Sequence, residues 1–152
     1  MAYTTIDDPS AYFQTTLYTG NASSRSITNG GNSDLQPDLV WTKKRNEAQN
    51  HCVFDSSRGV GKILFPDGTD TEASSPSVVT AFDSDGFSLT ADALGNDNSD
   101  SYVSFQWKAN GGTTSSLSGG DIGITTTSQA NTTALFSINT YTGTGSQSAI
   151  GH

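Results

Sequence analysis

The turn Asp83-Ser84-Asp85-Gly86 has the residue types of a metal site. Alternate carboxylates on a tight turn can converge on one calcium ion, which prefers oxygen ligands. An EF-hand loop also needs an acidic ligand eleven positions after Asp83, where this chain has Leu94, so an EF-hand is excluded. Two interpretations remain: a looser calcium site that uses Asp83 and Asp85, or a polar β-turn whose carboxylates bind backbone amides. We favour the turn and expect no other cofactor.

Paired carboxylates for glycoside hydrolysis are a second candidate. This reaction needs two carboxyl groups that flank the scissile bond. The two glutamates, Glu47 and Glu72, are predicted to lie in separate polar loops. Asp83 and Asp85 have a suitable spacing, but they lie beside a glycine turn exposed to water. Neither pair predicts a glycosidase, and we expect a non-enzymatic protein.

His51, Cys52 and Asp55 are the residue types of a thiol nucleophile with its base. Adjacent side chains on a strand point to opposite faces, so His51 cannot bond the thiol of Cys52. We expect Cys52, the single cysteine, to be a small buried apolar group. Asp55 and Arg58 are better interpreted as a structural charged clamp around the turn before Gly59.

Aromatic side chains are the remaining candidates for binding. Tyr12, Tyr18 and Tyr141 alternate against the apolar positions of their strands and are predicted to be exposed. A ring with a polar tip there can contact a glycan or another subunit. Trp41 and Trp107 could stack on a sugar, but their alternation groups them with core residues. We therefore expect both tryptophans to be structural.

The composition restricts both the fold and the partners. The chain has 152 residues, enough for one domain, of which 32% are hydrophobic, 14% are charged and 43 are Ser or Thr. Such a chain is poor in helix-forming residues, which favours an all-β fold with long polar turns. A net charge of −8 with seven Lys and Arg residues excludes nucleic acid as a partner. Membrane insertion is not expected, because no apolar run approaches ~20 residues.

Apolar residues alternate with polar ones in short runs, which is typical of half-buried strands. On the clearest run, Val103, Phe105 and Trp107 are predicted to face the core, with Ser104 and Gln106 facing water. Turns rich in Gly, Asn and Asp separate the runs and reverse the chain. Other predicted strands are Phe13–Leu17, Leu39–Trp41, Cys52–Phe54, Lys62–Phe65, Val78–Phe82, Phe87–Leu89, Ile122–Ile124 and Phe136–Ile138. The pattern predicts a two-sheet antiparallel sandwich.

The composition changes after Lys108, and we divide the chain accordingly. Residues 1–110 are predicted to form the sandwich core, and residues 111–134, rich in Gly, Ser and Thr, a connector or an edge strand. The alternation of Ile122 and Ile124 favours an edge strand. Residues 135–152 are predicted to be a C-terminal strand that closes the sandwich or pairs with a neighbouring subunit.

The C-terminal strand repeats residues 12–28. Phe13, Tyr18-Thr19-Gly20 and Ile27 recur as Phe136, Tyr141-Thr142-Gly143 and Ile150, displaced by the same 123 positions. An unbroken register favours a real duplication over coincidence. Either the two similar strands pair within one sandwich, or the chain ends where a tandem unit would begin.

Five blocks, in this order, resemble an uncharacterised domain of virion proteins from marine bacteriophages. The resemblance covers most of residues 13–109. The blocks are Phe13 to Gly20, Gln36 to Arg45, Phe54 to Gly59, Phe82 to Leu89 and Tyr102 to Ala109. That family looks like a concanavalin A-like, laminin G-like domain, so the resemblance implies an all-β, two-sheet antiparallel jelly-roll sandwich.

The resemblance also implies a function. We expect a non-enzymatic structural protein of the virion, made in the host bacterial cytoplasm, that works in a tail fibre or surface appendage in assembly and host attachment. Its partners would be other virion proteins and further copies of itself, with a trimer suiting a fibre. Two alternatives are a carbohydrate-binding module that recognises host surface polysaccharide and a capsid decoration protein.

Overall fold

Short runs of β-branched and aromatic residues between flexible polar turns fold as strands. The structure, a computed structural model, describes residues 6–75, 77–118 and 124–146. Within these residues a 3-10 turn at Pro9–Ala11 precedes the strands. The strands are β1 (Phe13–Thr19), β2 (Arg25–Thr28), β3 (Leu39–Lys44), β4 (Cys52–Asp55), β5 (Lys62–Ile63), β6 (Ala73–Ser74), β7 (Val79–Asp83), β8 (Gly86–Leu89), β9 (Ser101–Trp107), β10 (Ser115–Ser118), β11 (Thr125–Asn131) and β12 (Phe136–Tyr141).

Antiparallel pairing joins the described strands into sheets. The first sheet has the order β1-β9-β3-β4, the second β2-β8-β7 and the third β10-β11-β12, while β5 pairs with β6. Neighbouring strands in each sheet are antiparallel. The prediction of an all-β chain with antiparallel sheets is therefore confirmed.

Among the described residues, a hydrophobic cluster joins the first and second sheets. It consists of Tyr18, Ile27, Val40, Cys52, Phe54, Ile63, Val78, Val79, Phe87, Leu89 and Tyr102. The rings of Tyr18 and Tyr102 stack with their centroids 5.2 Å apart. The Tyr18 hydroxyl donates to the Gly95 carbonyl at 2.9 Å, and burial raises the pKa of both tyrosines. Two sheets that share one core form a sandwich-like arrangement.

The faces of β9 are the reverse of those predicted. Ser104 and Gln106 are fully buried, whereas Phe105 and Trp107 point to the outside of the first sheet and are half-buried. Trp41 on β3 also lies on the outer face. The prediction that Trp41 and Trp107 belong to the core is wrong.

The faces of β1 are reversed in the same way. Gln14 and Tyr18 are buried, while Phe13 and Leu17 are 40% and 61% exposed. Tyr18 is therefore a core residue, and the prediction that it is exposed is wrong. Antiparallel pairing couples the orientation of the two strands: Phe13 lies opposite Trp107 and Leu17 opposite Val103, so the side chains of each pair share one face.

A network of amide and hydroxyl groups explains why the polar face can be buried. Gln106 and Asn29 exchange two hydrogen bonds, from Gln106 Nε2 to Asn29 Oδ1 at 2.6 Å and from Asn29 Nδ2 to Gln106 Oε1 at 3.1 Å. Gln106 Nε2 also donates to Ser104 Oγ at 3.2 Å, and Thr16 Oγ1 donates to Asn29 Oδ1 at 2.9 Å. A buried polar group is costly only when it has no partner, so this face can replace an apolar one.

The third sheet contains most of the described C-terminal part of the chain. β11 pairs with β10 on one side and with β12 on the other, so β12 pairs with a strand of the same chain. Ile124 directly precedes β11, while Ile122 and Ile150 lie outside the described residues. β2, β6, β10 and β11 lie outside the predicted strands, because these segments are very short or rich in Ser and Thr and lack an apolar alternation.

The buried carboxylate of Asp38 holds the connection between the first and third sheets. Its Oδ2 accepts from the backbone amides of Ala109 at 2.6 Å and Gly111 at 3.0 Å. Its Oδ1 accepts from the amide of Gly112 at 2.8 Å and from Ser56 Oγ at 2.6 Å. Gly111 and Gly112 both have positive φ, which lets consecutive amides turn toward one anion.

Replacing Asp38 should destabilise the fold. In Asp38→Ala the three amides and the hydroxyl lose a charged acceptor, and we expect the free energy of unfolding to fall by about 2–3 kcal/mol. Urea denaturation followed by circular dichroism measures this change. Asp34→Ala is the matched control, because Asp34 is exposed and its loss should change stability by less than about 0.5 kcal/mol. Equal stability of the two variants would contradict the role given to Asp38.

A second polar anchor is the almost fully buried side chain of Lys44. Its Nζ lies 2.5 Å from Asp100 Oδ2 and 3.5 Å from Glu47 Oε2. The hydrogen bond with Asp100 raises the pKa of Lys44, and the same bond lowers the pKa of Asp100. Both shifts favour the charged forms in the folded state.

The lowered pKa of Asp100 predicts a pH dependence of stability. The contribution of ionised Asp100 is complete above its ordinary pKa of 3.8 and disappears as the pH falls through the lower folded-state pKa. Asp100→Asn should therefore melt at a lower temperature than the unaltered chain at pH 7, with a gap that closes toward pH 2. Thermal melts between pH 2 and 7 measure the gap. A gap that stays constant with pH would show that the lost contact is not ionic, and Asp34→Asn provides the control.

Candidate binding surface

Aromatic rings form a row across the outer face of the first sheet. Adjacent strands bring Phe13, Trp107, Phe105 and Trp41 side by side. The ring centroids of Phe13 and Trp107 are 4.9 Å apart, and those of Phe105 and Trp107 and of Trp41 and Phe105 are each 6.4 Å apart. We call these four residues the aromatic row. Alternation along each strand puts all four on one face.

The rings of the aromatic row are not coplanar. The planes of Phe13 and Trp107 meet at 51°, and those of Trp41 and Phe105 at 67°. Trp41 Nε1 donates to His51 Nδ1 at 3.0 Å, so its polar group is already bonded within the chain. The tilted rings, of which Phe13 is exposed and the other three are half-buried, make an irregular apolar surface.

An apolar cleft of about 360 Å³ lies at the Phe13 end of the row. It is lined by Ile6, Pro9, Tyr12, Phe13, Trp107, Ala134 and Phe136. Phe136 on β12 stacks on Trp107 with the planes at 21° and the centroids 6.2 Å apart. The repeated residues Phe13 and Phe136 therefore both contact Trp107, and the third sheet forms one wall of the cleft.

The 3-10 turn at Pro9–Ala11 forms another wall of the cleft. Asp8 begins this turn, and its Oδ1 accepts from the amide and the hydroxyl of Ser10 at 2.9 and 2.6 Å. Its Oδ2 accepts from Ser33 Oγ at 2.7 Å. These hydrogen bonds lower the pKa of Asp8 and fix the segment that carries Pro9 and Tyr12.

Leu135 lies beside the cleft in the turn between β11 and β12. Its side chain is 90% exposed, and its φ of 56° is unusual for a residue with a branched apolar side chain. Asn131 Oδ1 fixes the turn by accepting from the amides of Thr133 at 3.1 Å and Ala134 at 3.0 Å. A strained, exposed leucine next to two cleft residues is a candidate contact for a partner.

The predicted tyrosines occupy three different environments. Tyr12 lines the apolar cleft and is half-buried. Tyr141 is 54% exposed on β12. It borders a shallow hollow of about 210 Å³ whose other residues are Thr125, Thr127, Thr140 and Thr142. Tyr18, as described above, belongs to the core, so the structure does not bring the three tyrosines together.

The turn residues Asp83 and Asp85 are engaged in separate hydrogen bonds. Asp83 Oδ2 accepts from Ser88 Oγ at 2.7 Å, and Asp85 Oδ1 accepts from the amide of Leu35 at 3.2 Å. No group of three or more His, Cys, Asp or Glu residues among the described residues could hold a metal ion. This geometry matches a structural β-turn, and calcium binding at the turn stays a prediction.

The structure places Asp55 and Arg58 in the predicted clamp. Arg58 Nε donates to Asp55 Oδ2 at 2.5 Å, and the Arg58 amide donates to Asp55 Oδ1 at 2.9 Å. The same guanidinium reaches Glu72 Oε2 at 3.2 Å, which ties that glutamate to the clamp. Glu47 instead lies near Lys44. Glu47 and Glu72 are thus bound by different basic side chains.

Cys52 is buried and its chemistry is suppressed. Burial raises the pKa of its thiol to about 12, so the reactive thiolate is scarce at neutral pH. His51 Nδ1 accepts the indole hydrogen of Trp41 and does not serve the thiol. The expectation of a small buried apolar side chain at Cys52 is confirmed.

Sequence reasoning missed Phe105, Phe136 and Leu135 as surface residues. The two phenylalanines occupy the apolar phase of alternating strands, which by itself indicates core. A usable signal lies in Leu135, a large apolar residue in a turn that follows the polar segment Asn131 to Thr133. Large apolar residues in turns are unusual and often mark contacts.

The strain at Leu135 can be tested by stability measurements. Asn tolerates a positive φ, so Leu135→Asn should raise the free energy of unfolding by about 0.5–1 kcal/mol, since an exposed side chain loses little burial. Leu135→Val should lower it by about 1 kcal/mol, because a β-branched residue resists this conformation. Urea denaturation of both variants provides the comparison. A destabilised Leu135→Asn protein would mean that Leu135 supports the fold.

Comparison with known proteins identifies one family. A family described as a domain of unknown function, DUF7483, matches residues 8–152. No curated protein and no solved structure matches the chain. Within the described residues, no helix is both long and apolar enough to cross a membrane. The match spans nearly the whole sequence, and the chain belongs to the DUF7483 family.

Proposed function

We propose that this chain is a non-enzymatic structural module of a bacteriophage particle. It works in a tail fibre or another surface appendage, where it joins virion proteins during assembly and supports attachment to the host. The ordered sequence blocks that resemble marine phage virion proteins support this proposal. The sandwich-like pair of sheets is compatible with the jelly-roll topology that the resemblance implies.

The observation that carries the proposal is the apolar outer surface formed by the aromatic row, the cleft and Leu135. Phe13, Leu17 and Leu135 are large apolar residues that are 40%, 61% and 90% exposed. Large apolar side chains exposed in the neighbourhood of an apolar cleft are typical of contacts with other proteins. The tilt of the rings favours protein side chains as the occupant.

The engagement of the residues with catalytic chemistry also supports a binding role. Glu72 is bound by Arg58, and Asp83 accepts from Ser88. Cys52 is buried with a raised pKa. A catalytic group must be free to reach a substrate, and these groups are used within the fold.

The location of the chain in purified particles tests the proposal. Cryo-electron microscopy of the particle should show this fold in a tail fibre or appendage, with the aromatic row facing another virion protein. Density on the capsid would support the capsid decoration alternative instead. Particles in which neither imaging nor mass spectrometry finds the chain would overturn the proposal.

A charge placed on the proposed surface tests its role in assembly. Leu135→Asp puts an uncompensated charge into the contact and should lower incorporation of the chain into particles by at least about tenfold, the equivalent of 1.4 kcal/mol. Val60→Asp is the matched control, because Val60 is also an exposed apolar residue, at 50%. Equal incorporation of both variants, measured by quantitative mass spectrometry, would show that Leu135 makes no essential contact.

The hollow beside Tyr141 favours a second candidate function, carbohydrate binding. Threonine hydroxyls surround an exposed ring there, which combines hydrogen bonding with an apolar face as sugar recognition requires. On a glycan array of bacterial surface polysaccharides, Tyr141→Ala should lose binding while Leu64→Ala keeps it. Loss of binding in the presence of a chelator would add a role for calcium at Asp83 and Asp85, and a lack of binding by the unaltered chain would exclude this function.

A further inference from the structure

The strand β1 is an open edge of the first sheet. The order β1-β9-β3-β4 leaves β1 with β9 as its one partner among the described strands. The opposite edge strand, β4, has its backbone engaged by a bridge in which Val53 and Leu64 exchange two hydrogen bonds at 2.9 and 3.1 Å. An edge strand presents unpaired donors and acceptors that can pair with another strand.

Bonds at the two ends of β1 show which backbone groups face the open side. The Tyr12 carbonyl accepts from the Lys108 amide at 2.9 Å, and the Gly20 amide donates to the Asp100 carbonyl at 2.8 Å. In an antiparallel ladder alternate residues bond to the same partner, so the even-numbered residues of β1 face β9. The backbone groups of Phe13, Thr15 and Leu17 therefore face the open side.

The open side ends at Thr19. Its carbonyl accepts from Arg25 Nη1 at 2.8 Å and is thus already bonded. The segment from Phe13 to Leu17 then offers three residues, each with one amide and one carbonyl, for an added strand.

The residues of β1 themselves do not protect this edge from pairing. The sequence of β1, Phe-Gln-Thr-Thr-Leu-Tyr-Thr, contains no charged residue and no proline. Proteins usually place such residues on an exposed edge to prevent association. A groove of about 450 Å³ runs beside the strand, bordered by residues that include Thr15, Leu17, Thr28 and Gly30. Among the described residues, this groove leaves open space beside the strand.

We propose that β1 pairs with β1 of a second copy of this chain, antiparallel and about a two-fold axis, with Thr15 opposite Thr15. In this register Phe13 of each copy lies opposite Leu17 of the other, so the two exposed apolar side chains of the strand cover each other. All three open residues of each strand bond to the other, and the two four-stranded sheets become one continuous sheet. This dimer rests on the proposed function as an assembly module.

Self-complementarity selects a second copy over a strand of another protein. A two-fold axis at Thr15 uses every open backbone group and both large apolar side chains with no residue left over, as an isologous interface requires. Each copy carries a net charge of −8, which opposes association in general. The neutral β1 is a place where two copies can approach with little repulsion.

A charged substitution on β1 tests the dimer. Sedimentation velocity of the unaltered chain should show a concentration-dependent dimer. Leu17→Lys should raise the dimer dissociation constant by about 100-fold, because it removes an apolar contact and places two like charges near the axis. Leu64→Lys, the same substitution at a leucine that is 41% exposed on the other edge, should leave the constant unchanged.

Cysteine crosslinking tests the register. Opposed residues in a bonded antiparallel pair have Cα atoms ~5.5 Å apart, within the range of a disulfide. Thr15→Cys should therefore form a covalent dimer under mild oxidation. Leu17→Cys should not, since its own counterpart lies four residues further along the partner strand. The native Cys52 is buried and should not interfere.

A monomer at all concentrations, a trimer, or a dimer that survives Leu17→Lys would overturn the proposal, provided circular dichroism shows a folded variant. Covalent dimers from Leu17→Cys in place of Thr15→Cys would overturn the register. A monomeric chain that is still found in phage particles would leave the proposed function standing. A dimer with this register in a chain that is absent from particles would support the dimer and overturn the proposed function.

Discussion

The reciprocal hydrogen bonds between Gln106 and Asn29 decide which side of the first sheet faces the second. A buried primary amide without partners would cost several kcal/mol, and no apolar contact of similar size would offset that cost. With each amide bonded to the other and to neighbouring hydroxyls, the polar face of β9 can be buried beside the tyrosines of the core. The orientation of every strand in the first sheet follows, since antiparallel pairing fixes their faces together.

Burial of the polar face of the first sheet also creates the apolar outer surface. Because Ser104 and Gln106 point inward, Phe105 and Trp107 must point outward. The third sheet covers part of this surface through Phe136, and the carboxylate of Asp38 keeps the connecting backbone in place. The cleft is what remains between the turn at Pro9–Ala11, the aromatic row and the third sheet. The candidate binding surface thus arises from the same orientation of β9 that builds the core.

Alternation along the sequence predicts where β1, β8 and β9 lie, because apolar and polar residues differ clearly there, while β3 is predicted from the continuous apolar run Leu39 to Trp41. Alternation cannot tell which of two faces is inside. That depends on Asn29, which lies 77 positions from Gln106, and no local pattern marks the pair. Alternation predicts an exposed Tyr12, and the structure has it half-buried in the wall of the cleft, whereas Tyr18 is predicted on the wrong side together with the face of β1. The exposure of Leu135 depends on the backbone of a single turn. Asn131 fixes this turn through hydrogen bonds that the composition of the segment does not reveal.

The outward orientation of Trp41 and Trp107 has a spectroscopic consequence. These are the two tryptophans of the chain, and both are half-buried on the outside of the first sheet, while the core holds tyrosines. Indole emission shifts with the polarity around the ring, so the intrinsic fluorescence of this protein reports on the outer face and not on the interior. Occupancy of that face by any partner is therefore visible as a change in emission wavelength, without a dye or an introduced probe.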